Sequence, residues 1–407
     1  MDTVHAMPGS VLRHPGYLNF AASRVLSSLS FQCVAIAMGW MIYDQTHSAF
    51  ALALVGLCQF LPMVGLTFII GHIADRYDRR RIGLACQLIE AATSVALALA
   101  TWQQWLAPAG ILLAVTALGA TTAFERPTMA ALLPNIVPGS MLQQAIATTT
   151  SMQQTAFIVG PSLGGLLYGV HPAAPFAIAA VFFAVASVNV ISIRMQRRPA
   201  KREPVTLTSV FAGVSFIRSR AVMLGTISLD LFAVLFGGAT ALLPMFARDI
   251  LHAGPWALGL LRAAPALGAL AMSIVLARRP LRSHVGMKML AAVGIFGVAT
   301  VAFSVSTNIA LSVCALFIVG ASDTVSVVVR SSLVQLLTPD EMRGRVNAVN
   351  SLFIGTSNQL GEFESGMLAG FLGPVAAGVI GGVGTVAIVV IWVRLFPALT
   401  KVKTLNG

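Results

Sequence analysis

Long apolar runs, each bounded by a cluster of glycine, proline or charged residues, recur along this chain at nearly regular intervals. Read between those clusters they predict twelve helices, near 18–43, 49–71, 82–103, 106–124, 141–168, 173–193, 221–245, 254–277, 286–305, 308–329, 346–370 and 373–393. Each approaches or exceeds the roughly 20 residues that a helix needs to cross a hydrocarbon layer. The runs lack the short apolar-polar alternation of a barrel strand. An unpaired backbone group in hydrocarbon costs several kcal/mol, so helices are the economical reading.

Composition agrees: 57% of residues are hydrophobic and only 10% charged, which excludes an ordinary soluble domain. The expected fold class is an all-α integral membrane protein with twelve transmembrane helices in two pseudo-symmetric six-helix bundles. The first sixteen residues contain no apolar core of a cleavable signal, so the first span is expected to direct insertion.

A net charge of +12 raises the question of nucleic acid, and the placement of the charges answers it. All but three of the 26 basic residues fall in connections or termini on one side of the predicted spans. They lie at 76–81, Arg126, 194–220, 278–288, 330–345 and the two chain ends. Arg248 lies on the opposite side, and Arg24 and Arg262 lie within spans. The positive-inside rule then puts both termini in the cytoplasm of a multi-pass cell-membrane protein. The excess reads as orientation and contact with anionic headgroups of the lipid bilayer. No nucleic-acid partner is expected.

The four cysteines sit inside apolar runs without a CxxC pair, the seven histidines lack metal-site spacing, and no glycine-rich nucleotide loop occurs. Neither cofactor nor metal is expected. The energy for any transport would come from a gradient or another subunit.

The strongest composition break, residues 194–220, divides six spans from six. The expected organisation is an N-terminal bundle over 1–193, a cytoplasmic linker over 194–220 with an interfacial helix between Val205 and Ile217, and a C-terminal bundle over 221–407. The halves echo each other, since RPTMAALLPNIVPGSMLQQA from Arg126 resembles RSSLVQLLTPDEMRGRVNA from Arg330 at an offset of about 204 residues. GHIADRYDRRRIG at 71–83 has a counterpart in LARRPLRSHVG at 276–286, which has lost the acidic residues. Duplicated halves around a midplane site suit a carrier that alternates its exposure.

Gly71-His72-Ile73-Ala74-Asp75-Arg76-Tyr77-Asp78-Arg79-Arg80 resembles the G-x-x-x-D-R-x-G-R-R loop between helices 2 and 3 of the major facilitator superfamily, with Asp78 where glycine is usual. Gly160-Pro161-Ser162-Leu163-Gly164-Gly165 is similar to the G-P-x-x-G-G motif associated there with exporters, and the wider pattern resembles the branch holding enterobactin and macrolide exporters. The resemblance implies that Gly71, Asp75, Arg76 and Arg80 form a conformational latch. It also implies that Gly160, Pro161, Gly164 and Gly165 make helix 5 a closely packed, bendable element at the join of the halves. The arginine-glutamine-glycine motif of helix 4 seen in many proton-coupled exporters is not evident, which leaves the coupling ion open.

Charges inside hydrocarbon cost about 2.5–3.5 kcal/mol each near a helix centre, so those within spans need partners or a wet cavity. Because the resemblance turns helices 1, 4, 7 and 10 toward the central cavity, Arg24, Asp230 and Asp323 are the first candidates for solute binding or coupling. Arg262, Glu362 and Glu364 follow. Glu90, on helix 3, is expected at the periphery as a packing or lipid-interface residue. Gln59, Gln153, Gln154, Asn358 and Gln359 are candidate hydrogen-bonders to a polar solute, with helix-to-helix bonding as the alternative.

The expected function is secondary active export of a small amphipathic or organic solute, such as a drug or siderophore, by a monomer, with protons as a candidate coupling ion. An importer or lipid flippase of the same fold is the alternative. A non-transporting scaffold or receptor is the alternative of another class. No paired catalytic motif supports an enzyme.

Overall fold

The computed structural model describes residues 11–193, 207–279, 281 and 283–404; the basic run 194–206 lies outside the described residues, as do the side chains of Gly71, Asp75 and Arg76. Six long helices come first: α1 (Pro15–Thr46), α2 (Ala49–Arg76), α3 (Arg79–Trp102), α4 (Pro108–Leu132), α5 (Leu142–Val170) and α6 (Ala174–Ile191). A shorter α7 (Leu207–Arg218) leads to α8 (Ala221–Phe236), the single turn α9 (Leu243–Met245), α10 (Pro255–Arg278), α11 (Val285–Val305), α12 (Ile309–Leu337), α13 (Asp340–Leu372), α14 (Pro374–Leu395) and the short α15 (Pro397–Thr400). Twelve long helical segments thus follow the twelve predicted runs.

Ten of the described helical segments are long and apolar enough to cross a membrane. The other two, α5 and α13, have the length but carry polar stretches, and each is the fifth span of its half. Helix ends follow local chemistry. The Asn308 side chain accepts from the amides of Ala310 and Leu311 to cap α12, and prolines open α4, α10 and α14 where their missing donor costs nothing.

The seventh span does not run as one helix. After α8 it passes through a 3-10 stretch (Gly238–Leu242), α9 and a π-helical turn (Phe246–Ile250). The causes are local. Gly237 and Gly238 weaken the helix, Pro244 removes a donor, and the backbone of α13 presses in, so that a Cβ on Gly361 would lie 2.8 Å from the carbonyls of Val234 and Leu235.

Packing divides the chain into two units, Met1–Ala37 with Leu61–Pro204, and Met38–Phe60 with Val205–Gly407. In the first, Tyr17, Phe20, Met129, Leu132 and Val190 join α1, α4 and α6 in one buried cluster. In the second, Leu229, Met289, Leu290, Val329 and Leu333 join α8, α11 and α12. α7 is held to this unit through Ile217, which is buried with Val346 and Val349 of α13. Also within the second unit, Tyr43 donates to Asp249 and Arg248 pairs with Asp44, so the basic residue set apart by the charge pattern has an acidic partner.

Duplication is visible in the backbone. His47 after α1 and His252 after the π turn both adopt the left-handed conformation, with φ of 47° and 48°, and they lie 205 residues apart. Non-glycine residues take this conformation rarely, so its recurrence at matching hairpins is a feature of the repeat.

Candidate functional site

Two polar clusters occupy the apolar interior, one in each unit. In the first, Arg24 of α1 faces Glu125 of α4, with 3.8 Å between Nη1 and Oε1. Ser27 donates to Glu125 with 3.1 Å to each carboxylate oxygen, and the amide of Gln87 on α3 donates to Glu125 at 2.9 Å and to Ser23 at 2.8 Å. The cluster borders a cavity of about 40 Å³ lined also by Glu90, Arg126, Gln153 and Phe157.

Helical spacing explains part of this convergence. Arg24 and Ser27 stand three residues apart, as do Gln87 and Glu90, so each pair shares a helix face. Glu90, expected at the periphery, is 1% exposed. Its helix packs against both α4 and α6, and this burial turns the acid inward.

In the second unit, Asp230 of α8 and Arg330 of α12 form an ion pair of 2.8 Å, with both side chains almost wholly buried. The pair borders a cavity of about 230 Å³ whose lining includes Asp323, Asn358, Glu362 and the backbone of Gly237 and Gly238 at the broken span. Asp323 and Arg330 are seven residues apart on α12, which places them on one helix face two turns from each other. Asp230, Asp323 and Glu362 are therefore brought together. Arg262 and Glu364 are half-buried and do not line this cavity, and Ser365 lies within hydrogen-bond reach of Glu364 at 3.4 Å.

Two residues central to these clusters escaped the sequence reading. Arg330, read there as a topology charge in a connection, lies inside α12 with 4% exposure, and Glu125 was not singled out. The reason is the same for both: α4 and α12 continue to Leu132 and Leu337, past the polar residues at which the apolar runs end. Arg126 also lies within α4, exposed, with its guanidinium 5.9 Å from the ring centroid of Phe31. The internal repeat marks the neighbourhood of both, since it begins at Arg126, next to Glu125, and at Arg330 itself; Glu125 and Arg330 are 205 residues apart, as are Gln153 and Asn358.

Of the loop residues, Arg80 donates to the backbone oxygen of Ile193 at 3.0 Å and pairs with Asp78 at 2.8 Å. Asp78 is the N-cap of α3, with its carboxylate accepting from the Arg80 amide and its φ at −61°. Glycine is not needed for that conformation, which accounts for the departure from the family loop. The hydrogen bond from the Arg80 side chain is the main cause that holds the Asp78 carboxyl below its usual range.

The helix-5 motif packs on α1 within the first unit. A Cβ on Gly160 would come 2.6 Å from that of Gln32, and one on Gly164 would come 2.9 Å from the Cα of Cys33. Without a hydrophobic drive between helices in lipid, this close approach and its van der Waals contact bind the pair. The Cys33 thiol also donates to the Gly160 carbonyl at 3.3 Å.

The sequence profile of the family described as transmembrane secretion effector matches residues 9–406. Enterobactin exporter EntS of Citrobacter koseri is 26% identical over 403 residues, covering 96% of this chain and 94% of that protein. Macrolide efflux protein A of Streptococcus pyogenes is 25% identical over 239 residues, covering 58% of this chain; the match spans 59% of that relative's length. Among solved structures, the nucleoside transporter NupG superposes with a TM-score of 0.69 at 14% identity, covering 94% of this chain and 99% of that one. A bacterial homologue of the iron transporter ferroportin in an inward-facing state gives 0.70 at 16% identity, covering 96% and 100%.

Proposed function

The chain belongs to the transmembrane secretion effector family of the major facilitator superfamily, and from that membership we propose that it is a secondary active exporter of a small amphipathic organic solute, working by alternating access. The observation that carries the reading is the cavity of about 230 Å³ in the second unit, where charged side chains stand among apolar helices beside a broken span. A charged group buried in hydrocarbon is by default a mark of a solute or ion path. Asp230, Asp323 and Glu362 bind the solute there, and Arg330 holds Asp230 in place. Arg262 and Glu364 act from outside that lining, by electrostatic field and helix packing.

The bundles 1–193 and 221–407 rock about the linker 194–220, with both termini in the cytoplasm of the cell membrane and the monomer as the working unit. Gly71, Asp75, Arg76 and Arg80 latch one end of the cycle. Gly160, Pro161, Gly164 and Gly165 let α5 bend against α1. Relatives named for macrolide efflux and enterobactin export supply the first solutes to try.

The test is uptake of a labelled macrolide and labelled enterobactin into inverted membrane vesicles, with and without an imposed inside-acid gradient. Accumulation above that of vesicles carrying Asp230→Asn supports export. Accumulation only in right-side-out vesicles marks an importer, movement of labelled lipid alone marks a flippase, and binding without movement marks a receptor.

A further inference from the structure

The cluster of the first unit is short of hydrogen-bond donors. Glu125 has its oxygens served by Ser27, Gln87 and Arg24. Glu90 lines the same cavity, yet its Oε2 is buried with no hydrogen-bond partner among the described residues, and the same holds for the Oε1 of Gln87. Both orphaned atoms are acceptors.

The charges around Glu90 can be followed helix by helix. Arg24 comes from α1, Glu125 and Arg126 from α4, and Cys86 stands one turn back on α3 itself. α6, packed along α3, carries no titratable side chain, and α5 contributes Gln153 to the cavity. One carboxylate is thus already paired with Arg24, and a second bare anion beside it, with a side-chain hydrogen bond from Thr121, would still have no donor at Oε2 in a medium of low dielectric. A proton on Oε2 removes that charge and turns an orphaned acceptor into a donor. A cavity of about 40 Å³ has room for a water molecule to deliver it.

We propose that Glu90 is a proton-binding site of the first unit, carrying its proton at neutral pH beside the Arg24–Glu125 pair. The proton arrives from water and returns to water, and no other bond is made or broken. In the exporter reading, on which this step to coupling rests, the proton site lies in the unit that does not hold the solute cavity, on a helix that sequence reasoning set aside.

Infrared difference spectroscopy of the full chain in lipid nanodiscs, stepped in pH without any solute, tests the assignment. The expected result is a carbonyl stretch of a buried, protonated carboxyl at neutral pH, lost on titration to alkaline pH and absent in Glu90→Gln. Glu90→Asp, which keeps the acid, moves the band's frequency and serves if the glutamine variant does not fold. A wild-type protein without such a band overturns the proposal, and so does a band that neither Glu90 variant alters. Because the readout needs no cargo, failure of the vesicle uptake leaves this result standing, and a missing band leaves export standing.

Discussion

The two units solve one problem with opposite signs. In the first, a cation on the first helix of the repeat, Arg24, meets an anion on the fourth, Glu125; in the second the anion, Asp230, is on the first and the cation, Arg330, on the fourth. The positions correspond to within about one residue of the repeat, Arg24 and Asp230 being 206 residues apart and Glu125 and Arg330 205; Gln153 and Asn358 are also 205 apart, and each lines its own unit's cavity. Where the first cavity has Phe157, the second has Glu362, again 205 residues on. A duplicated frame has kept the placement of an ion pair and changed what surrounds it. The first anion is enclosed by donors in a small cavity, while the second pair fronts a larger one with two further acids.

That contrast predicts unequal costs when one charge is removed. Asp230→Asn leaves Arg330 buried without its counter-ion, and breaking a buried pair from one side costs about 3–5 kcal/mol. Transport is expected to fall to background as well. Arg24→Gln leaves Glu125 with its bonds from Ser27 and Gln87, so the loss is about 1–3 kcal/mol, nearer that of a single buried hydrogen-bonding partner. Reversible unfolding of the purified variants ranks them. An Arg24→Gln protein as unstable as Asp230→Asn would mean that the donors around Glu125 do not share its load.

Exchanging the charges sharpens the same point at smaller amplitude. Asp230→Arg with Arg330→Asp should recover about 1–3 kcal/mol relative to the sum of the single variants, the coupling expected of a direct contact. Arg24→Glu with Glu125→Arg should recover less, because Gln87 would then direct its amide donor at a guanidinium. Equal recovery in both double variants would show that only the pair, and not its surroundings, distinguishes the units.

The fold class was legible in the sequence because lipid imposes one rule on every span, and apolar runs between charge clusters report it directly. The candidate sites were legible in part. Asp230, Asp323 and Glu362 stood out as acids in apolar surroundings, and they meet at one cavity. Their counter-ion did not stand out, because Arg330 sits where hydropathy ends and the helix does not. Glu90 was misplaced for a different reason: a run of apolar residues does not reveal which side of its helix faces protein. The break after α8 was hidden as well, since Gly237 and Gly238 interrupt a helix without interrupting its hydropathy.

A last difference between the units lies at the start of the third helix of each. α3 begins at Asp78, which caps it and pairs with Arg80, whereas α11 begins at His284, left-handed with φ of 50° and without a side-chain cap bond. Asp78→Ala should therefore cost about 0.5–2 kcal/mol, the usual value of an N-cap. Asp78→Asn can still cap and should lose only the charge pairing, worth a fraction of a kcal/mol at a partly exposed site. The pH dependence has a definite sign. Because the folded carboxyl titrates below its unfolded value of about 3.9, its contribution is complete above that value and disappears as pH falls through the lower, folded value. Unfolding curves of wild type and Asp78→Asn should thus differ by a constant amount at neutral pH and converge only in acid below about 3.9. A gap that instead closes between pH 5 and 7 would assign the pairing to another group and remove this distinction between α3 and α11.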